Sequence, residues 1–91
     1  MSVRVRVKIS GGVNGVGFRN SLRRIAALYR VKGWVRNARG GTVEAVEGDT
    51  KDVEKVIEFC KKGPPAAYVE RVQVLQEPRN EEFEDFEIRD D

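Results

Sequence analysis

The sequence predicts an α+β domain in which two helices cover one face of an antiparallel-rich β-sheet. The first observation is a period-two alternation near the N-terminus, with Val3, Val5, Val7 and Ile9 separated by Arg4, Arg6, Lys8 and Ser10. Because successive side chains of a strand point to opposite faces, this alternation indicates a strand with one buried face. The second observation is a pair of segments whose apolar residues recur at i, i+3, i+4 and i+7, which is the spacing of an amphipathic helix.

The two helical stripes consist of Leu22, Ile25, Ala26 and Tyr29 in the first helix and Val53, Val56, Ile57 and Cys60 in the second. Asn20 or Ser21 is expected to cap the first helix, and Asp49 or Thr50 the second. Gly63 is expected to end the second helix, because glycine tolerates the left-handed conformation and the two prolines that follow cannot continue a helix.

Four further strands are predicted: one that begins at Trp34–Val35, one over 42–46, one over 69–75, and a short one suggested by Phe83, Phe86 and Ile88. Turns are expected at Arg39–Gly41 and at Pro78–Asn80, and the first of these makes the second and third strands a hairpin. The order β-α-β-β-α-β with an added strand predicts the ferredoxin-like, or split β-α-β, two-layer sandwich. We expect the spatial order 4-1-3-2, with the fifth strand at the edge beside strand 2.

Composition indicates one folded domain over residues 1–91, since 40% of the residues are apolar and 35% are charged. The net charge of +2 gives no general attraction to nucleic acid or to membranes. The N-terminus has no long apolar stretch, so we expect no signal peptide, and no segment approaches the roughly 18 apolar residues that a membrane helix needs. The single cysteine excludes an internal disulfide and favours a reducing compartment, so we expect a cytoplasmic protein. We also expect it to be a monomer.

The chain contains no histidine, which narrows the possible chemistry. A transition-metal site needs a cluster of histidines and cysteines, so we expect neither a metal nor another cofactor. Serine–histidine and cysteine–histidine nucleophile pairs are excluded because the base is missing. Cys60 lies on the second helical stripe, where a buried core thiol is the expected role. Catalysis is left to Arg, Lys, Asn, carboxylates, hydroxyls or backbone N–H groups.

The glycine loop, residues 11–17, lies between the first strand and the first helix and is followed by Phe18 and Arg19. Glycines let backbone N–H groups approach a ligand, and the unpaired N–H groups of a helix N-terminus favour an anion. Arg19 adds a planar fork of donors suited to phosphate. These features indicate phosphate binding, although a tight connection beside a surface arginine would give the same pattern.

The segments of the chain together resemble the acylphosphatase family. Residues 12–19, Gly-Val-Asn-Gly-Val-Gly-Phe-Arg, are similar to its first signature, and Gly33-Trp34-Val35-Arg36-Asn37 with Gly41-Thr42-Val43 to its second. Glu47-Gly48 and residues 63–67 also match features common in the family. Two positions depart from the pattern: Gly12 replaces a basic residue or histidine, and Asn14 replaces glutamine.

The resemblance implies hydrolysis of acyl phosphates to a carboxylate and inorganic phosphate, without a cofactor or metal. Arg19 and Asn37 would be the catalytic residues. The phosphoryl oxygens would be held by Arg19 and by backbone N–H groups of the loop residues Asn14, Gly15, Val16, Gly17 and Phe18. Asn37 would orient a water for in-line attack on phosphorus.

Two other functions remain possible from the sequence. The first is a nucleic-acid-binding module, because the same fold builds RNA-recognition domains and Arg4, Arg6 and Lys8 would project from the uncovered sheet face. Such domains stack bases on aromatic residues of the central strands, which the first and third strands lack on that face. The second is an anion sensor that retains the loop but does not turn over substrate. The presence of both Arg19 and Asn37 argues against a catalytically dead site.

Overall fold

The computed structural model describes residues 1–79 and 82–89. Its elements are β1 (Ser2–Gly12), α1 (Phe18–Leu28), β2 (Lys32–Ala38), β3 (Gly41–Asp49), α2 (Thr50–Lys62), β4 (Tyr68–Glu77) and β5 (Phe86–Arg89). The strands form one sheet in the order β4-β1-β3-β2-β5, which confirms the expected order. β1 pairs antiparallel with β3 and β4, β2 pairs antiparallel with β3, and β5 runs parallel to β2.

Both helices pack on the same face of the sheet, and the core lies between the two layers. On β1 this face carries Val5, Val7 and Ile9, each no more than 6% exposed. The predicted stripes supply the opposite layer, with Leu22 of α1 and Val56 of α2 fully buried. The alternation in the sequence therefore identified the buried face correctly, because the hydrophobic effect turns every second side chain of β1 toward the helices.

The first helix begins earlier than predicted, and its predicted cap is wrong. α1 starts at Phe18, and its N-cap is Gly17, which has φ 78° and makes no side-chain cap bond. Phe18 is 1% exposed, so its burial extends the apolar stripe one turn toward the N-terminus. As a result Asn20 and Ser21 lie inside the first turn of the helix rather than in front of it.

The ends of the second helix agree with the sequence. The Asp49 side chain accepts a hydrogen bond from the N–H of Lys51 at 3.1 Å, which confirms Asp49 as the N-cap. Gly63 has φ 72° at the C-terminal end, where its N–H donates to the carbonyl of Phe59. Farther along, β5 comprises only residues 86–89, so Phe83 precedes the fifth strand instead of belonging to it. Of the expected turn at 78–80, Asn80 lies outside the described residues.

A close approach between β1 and β3 fixes the end of the sheet where the glycine loop begins. A Cβ at Gly41 would lie 1.8 Å from the carbonyl oxygen of Ile9, so only glycine fits there. In the same region the N–H of Gly11 donates to the carbonyl of Gly40 at 3.1 Å. The β2–β3 turn is thereby attached to the base of the loop.

A carboxyl–thiol pair lies inside the core between β3 and α2. Glu44 and Cys60 are both fully buried, and the Cys60 thiol donates to Oε1 of Glu44 at 3.0 Å. Burial raises the pKa of Glu44 to about 8, although the thiol bond partly opposes this rise. Burial and the adjacent carboxyl also raise the pKa of Cys60, so the thiol stays protonated. Cys60 is therefore a core residue, as predicted, but the buried acid facing it was not predicted.

Candidate active site

The glycine loop forms an open connection between β1 and α1 that is anchored from within. Val13 and Phe18 are each 1% exposed, and the ring centroid of Phe18 lies 5.9 Å from that of Phe59. Between these anchors, Gly15 and Gly17 have φ values of 75° and 78°. A Cβ at either glycine would meet no atom within 4 Å. The apolar residues thus hold the loop to the core while its glycines border open space.

The first turn of α1 presents N–H groups without a competing side chain. No side-chain cap bond is made there, and the turn contains no acidic residue. The carbonyl of Gly17 accepts the first helical bond, from the N–H of Ser21 at 2.9 Å. The N–H groups before Ser21 have no intrahelical acceptor, and with the helix dipole they create a positive potential at this end. Arg19, half-buried in the same turn, adds a full positive charge.

A cavity of about 220 Å³ opens beside the loop and this helix start. Its lining residues are Val13, Gly15, Gly17, Phe18, Arg19, Asn20 and Ile88. Ile88 comes from the edge strand β5 and supplies an apolar wall opposite the loop. The cavity therefore combines backbone donors and a guanidinium with a small apolar surface, which suits a phosphorylated molecule with a short organic part.

Asn37 lies at the same end of the sheet as the loop. It is half-buried near the C-terminal end of β2, on the face that carries Val35 and the helices. Val35 is opposite Ile88 in the β2–β5 pair, so Asn37 lies one step further along the face that borders the cavity. Across the ladder its partner is Thr42, whose Oγ1 is buried and has no hydrogen-bond partner among the described residues.

Most of the predicted site residues come together, but not all of them line the cavity. Gly15, Gly17, Phe18 and Arg19 line it, whereas Asn14 and Val16 belong to the loop without lining the cavity. Asn37 is adjacent to the cavity by strand position and is not among its lining residues.

Ile88 and Asn20 line the cavity without having been predicted to do so. Asn20 could have been found from its position beside Arg19 in the sequence. Ile88 could not, because its contact depends on where the edge strand pairs.

The fold and this strand–loop–helix define a ferredoxin-like α+β protein with an exposed glycine loop at a helix start. The acylphosphatase family model matches residues 5–88. The acylphosphatase of Pyrobaculum islandicum is 53% identical over 89 residues, which cover 96% of this chain and 94% of that protein. The chain belongs to the acylphosphatase family. It is a hydrolase, and the family's substrates are small acyl phosphates.

Solved structures agree with this assignment. An acylphosphatase from Coxiella burnetii has a TM-score of 0.88 and 34% identity, covering 97% of this chain and 93% of that one. Full-length HypF, in a phosphate- and nucleotide-bound form, also has a TM-score of 0.88, at 35% identity; the match covers all of this chain and 12% of that chain. Within residues 1–79 and 82–89, neither helix is long and apolar enough to cross a membrane.

Proposed function

We propose that this chain hydrolyses acyl phosphates by in-line attack of a water that Asn37 positions on a phosphoryl group held by Arg19 and the glycine loop. The observation that carries the proposal is the cavity beside residues 15–19, where Arg19 and an uncapped helix start face the same open space. Phosphoryl transfer depends mainly on positioning and charge stabilisation, which such a site supplies without an acid or base.

The loop and Arg19 hold the phosphoryl group. Backbone N–H groups of residues 14–19 donate to its non-bridging oxygens, and the glycine φ values let several of them converge. The Arg19 guanidinium donates two parallel bonds to the same group. These donors neutralise the charge that repels an incoming nucleophile, so they contribute to both binding and rate.

Asn37 positions the water. Its side-chain oxygen accepts a hydrogen bond from the water, which leaves a lone pair of the water directed at phosphorus. Thr42 lies directly opposite Asn37 on β3, and its buried hydroxyl makes no hydrogen bond to Asn37 or to any other described residue. As the water oxygen bonds to phosphorus, the P–O bond to the acyl group breaks and its electron pair leaves on the carboxylate. One proton of the water stays on the new P–OH and the other passes to a phosphoryl oxygen, so the products are a carboxylate and dihydrogen phosphate. Because a carboxylate is a good leaving group, no general acid is required.

Inorganic phosphate is expected to bind the free protein, to compete with acyl phosphate and to raise the melting temperature. A ligand that binds only the folded state stabilises it by mass action, by about 2.7 kcal/mol at a hundred times its Kd. Differential scanning fluorimetry and inhibition kinetics with acetyl phosphate as substrate measure both effects. Sulfate, which has the same shape, serves as a second ligand and chloride at equal ionic strength as the control. If millimolar phosphate moves neither the melting temperature nor the apparent KM, the proposed cradle is wrong.

Turnover is expected to be independent of metal ions. The chain has no histidine and a single buried cysteine, and the described residues contain no group of three side chains that could share a metal ion. Incubation with a chelator, followed by dialysis, should leave kcat within experimental error of the untreated protein. Activity that is lost with chelator and restored by a divalent ion would contradict the mechanism.

The two other functions make different predictions. An anion sensor would bind phosphate with the same thermal shift but would release no phosphate from an acyl phosphate. A nucleic-acid module of this fold would need exposed aromatic residues on the central strands β1 and β3, which carry none. On the neighbouring β2, Trp34 is 7% exposed beneath Arg6, Arg36 and Arg89. We therefore expect no binding of nucleic acid.

A single domain over residues 1–91, acting as a cytoplasmic monomer, remains part of the proposal.

A further inference from the structure

A second cavity lies at the opposite end of the sheet and carries a cluster of basic side chains. It measures about 170 Å³ and is lined by Ser2, Arg30, Lys32, Glu47, Gly48, Arg79 and Phe83. We call it the distal pocket. β1 begins beside it at Ser2 and ends in the glycine loop, so the two cavities lie at opposite ends of an 11-residue strand. No single small molecule could occupy both.

The cations of the distal pocket come from three separate segments. Arg30 follows α1, Lys32 begins β2, and Arg79 follows β4. All three are exposed, and none of their side chains forms an ion pair or hydrogen bond with the residues that the structure describes. Among the described residues, Glu47, opposite Lys32 on β3, is the one carboxylate that lines the pocket. The described side chains of the distal pocket therefore carry a formal charge of +2, three cations against one carboxylate.

Arg30 occupies a backbone position that favours glycine. Its φ is 57°, and among the described residues no other non-glycine residue has a positive φ. The N–H of Arg30 donates to Ala27 and that of Val31 to Ala26, a helix-ending motif in which glycine is preferred at this place. The negative end of α1 would stabilise a cation anywhere in its last turn, so it does not account for an arginine in the left-handed conformation. Non-glycine residues in this conformation cluster at functional sites.

Phe83 supplies the apolar part of the distal pocket. The guanidinium of Arg4 lies 4.5 Å from its ring centroid, and this cation fixes the orientation of the ring. Phe83 is half-buried, and the ring also borders the cavity. The pocket thus places a flat apolar surface beside three cations.

We propose that the distal pocket binds a phosphomonoester that carries a ring. Arg30, Lys32 and Arg79 hold the phosphate, because a dianion neutralises the excess charge of this pocket. The ring of the ligand packs against Phe83. Phenyl phosphate has both features and is not an acyl phosphate, so it can be used as the probe without being hydrolysed by the proposed reaction.

The test is a titration of the whole chain with phenyl phosphate, followed by amide NMR. Two sets of signals are expected to shift: Gly15 and Gly17 at the loop, and Lys32 and Gly48 at the distal pocket. Inorganic phosphate should shift the second set at higher concentrations than phenyl phosphate does, because it lacks the ring. Phenol, which lacks the charge, should shift it little.

The variants separate the two sites. In the double variant Arg30→Gly, Arg79→Gln, the apparent Kd for phenyl phosphate read from the distal-pocket amides should rise by at least about tenfold, the loss expected for charge-assisted bonds to phosphate. The apparent Kd read from the loop amides should not change. Arg30→Gly suits the backbone at this position, so the variant is expected to fold. The matched control is Arg24→Gln, an exposed arginine of α1 outside the pocket.

Distal signals that do not shift, or that shift equally in the double variant and the control, would overturn the proposal. Loop signals that do not shift would count against the proposed hydrolysis alone.

Discussion

Replacing Asn37 with alanine is expected to lower kcat by about a hundredfold or more while phosphate affinity stays nearly unchanged, as for the loss of a preorganised catalytic donor or acceptor. Asn37 acts on the attacking water, which is committed only in the transition state. Removal of an interaction that is made only in the transition state lowers kcat without weakening ground-state binding. The measurement is steady-state kinetics with acetyl phosphate beside a phosphate titration followed at the amides of Gly15 and Gly17.

Replacing Arg19 with alanine is expected to abolish phosphate binding at the loop and activity together. Its guanidinium meets oxygens that are already anionic in the ground state, so both states lose the interaction. Arg19→Lys should restore little, because an ammonium group cannot reproduce the planar fork of donors. Arg23→Ala, an exposed arginine of the same helix that does not line the loop cavity, is the matched control and should behave like the parent. Parent-like turnover in Asn37→Ala, or normal loop binding in Arg19→Ala, would show that these residues do not have the proposed roles.

The buried acid Glu44 is expected to make the protein less stable as pH rises from about 5 to 8. Burial raises its pKa from the ordinary value of 4.5 to about 8 in the folded state. Between these values the unfolded chain has released the proton and the folded chain still holds it. The stabilisation is therefore complete below pH 4.5 and is lost progressively as pH approaches 8. At about 1.4 kcal/mol per pKa unit, the loss is on the order of 4 kcal/mol.

Glu44→Gln removes this titration, so the free energy of unfolding should fall less between pH 5 and 8 than it does in the parent. Glutamine has the shape of the protonated acid, and its side-chain oxygen can still accept from the Cys60 thiol. Relative to the parent, the variant should gain about 3 to 4 kcal/mol in free energy of unfolding between pH 5 and 8. Urea denaturation at a series of pH values, followed by the fluorescence of Trp34, gives both curves.

The control for this experiment is Glu54→Gln, which changes an exposed glutamate on α2. Its stability curve should run parallel to that of the parent. If Glu44→Gln also runs parallel to the parent, Glu44 does not hold its proton in the folded state at neutral pH. Glu44→Gln should turn over acetyl phosphate like the parent, because Glu44 lies in the core and does not line the loop cavity.

The topology could be predicted from the sequence because it depends on local, repetitive patterns. The alternation of Val5, Val7 and Ile9 and the two helical stripes each specify a buried face, and the chain order limits how these faces can pack. The predicted start of α1 is too late because it rests on a capping side chain. In the structure the burial of Phe18 decides where the helix begins, and Gly17 precedes it without a side-chain bond.

Some residues of the candidate site can be predicted from one short segment of the sequence, whereas others depend on strand pairing. The loop and Arg19 are contiguous, so glycine content and a nearby guanidinium predict phosphate binding by this segment, with a tight connection as the alternative. The resemblance to acylphosphatases added Asn37, which is far away in the sequence. The structure places Asn37 near the loop because β2 and β3 form a hairpin whose turn is bonded to Gly11. The same pairing leaves Thr42 opposite Asn37, which no local pattern indicated.

By itself, the sequence determined the class of fold and the buried faces, and it predicted phosphate binding at the glycine loop, since these depend on residue type and spacing. Only the tertiary structure decided that Ile88 borders the loop cavity, that Glu44 is buried against Cys60, and that three basic residues meet at the distal pocket. Each of these contacts joins residues more than ten positions apart or from separate elements. Strand register and helix packing decide whether these residues meet, and no short segment of the chain specifies either one. Both are selected by hydrophobic burial of the whole core.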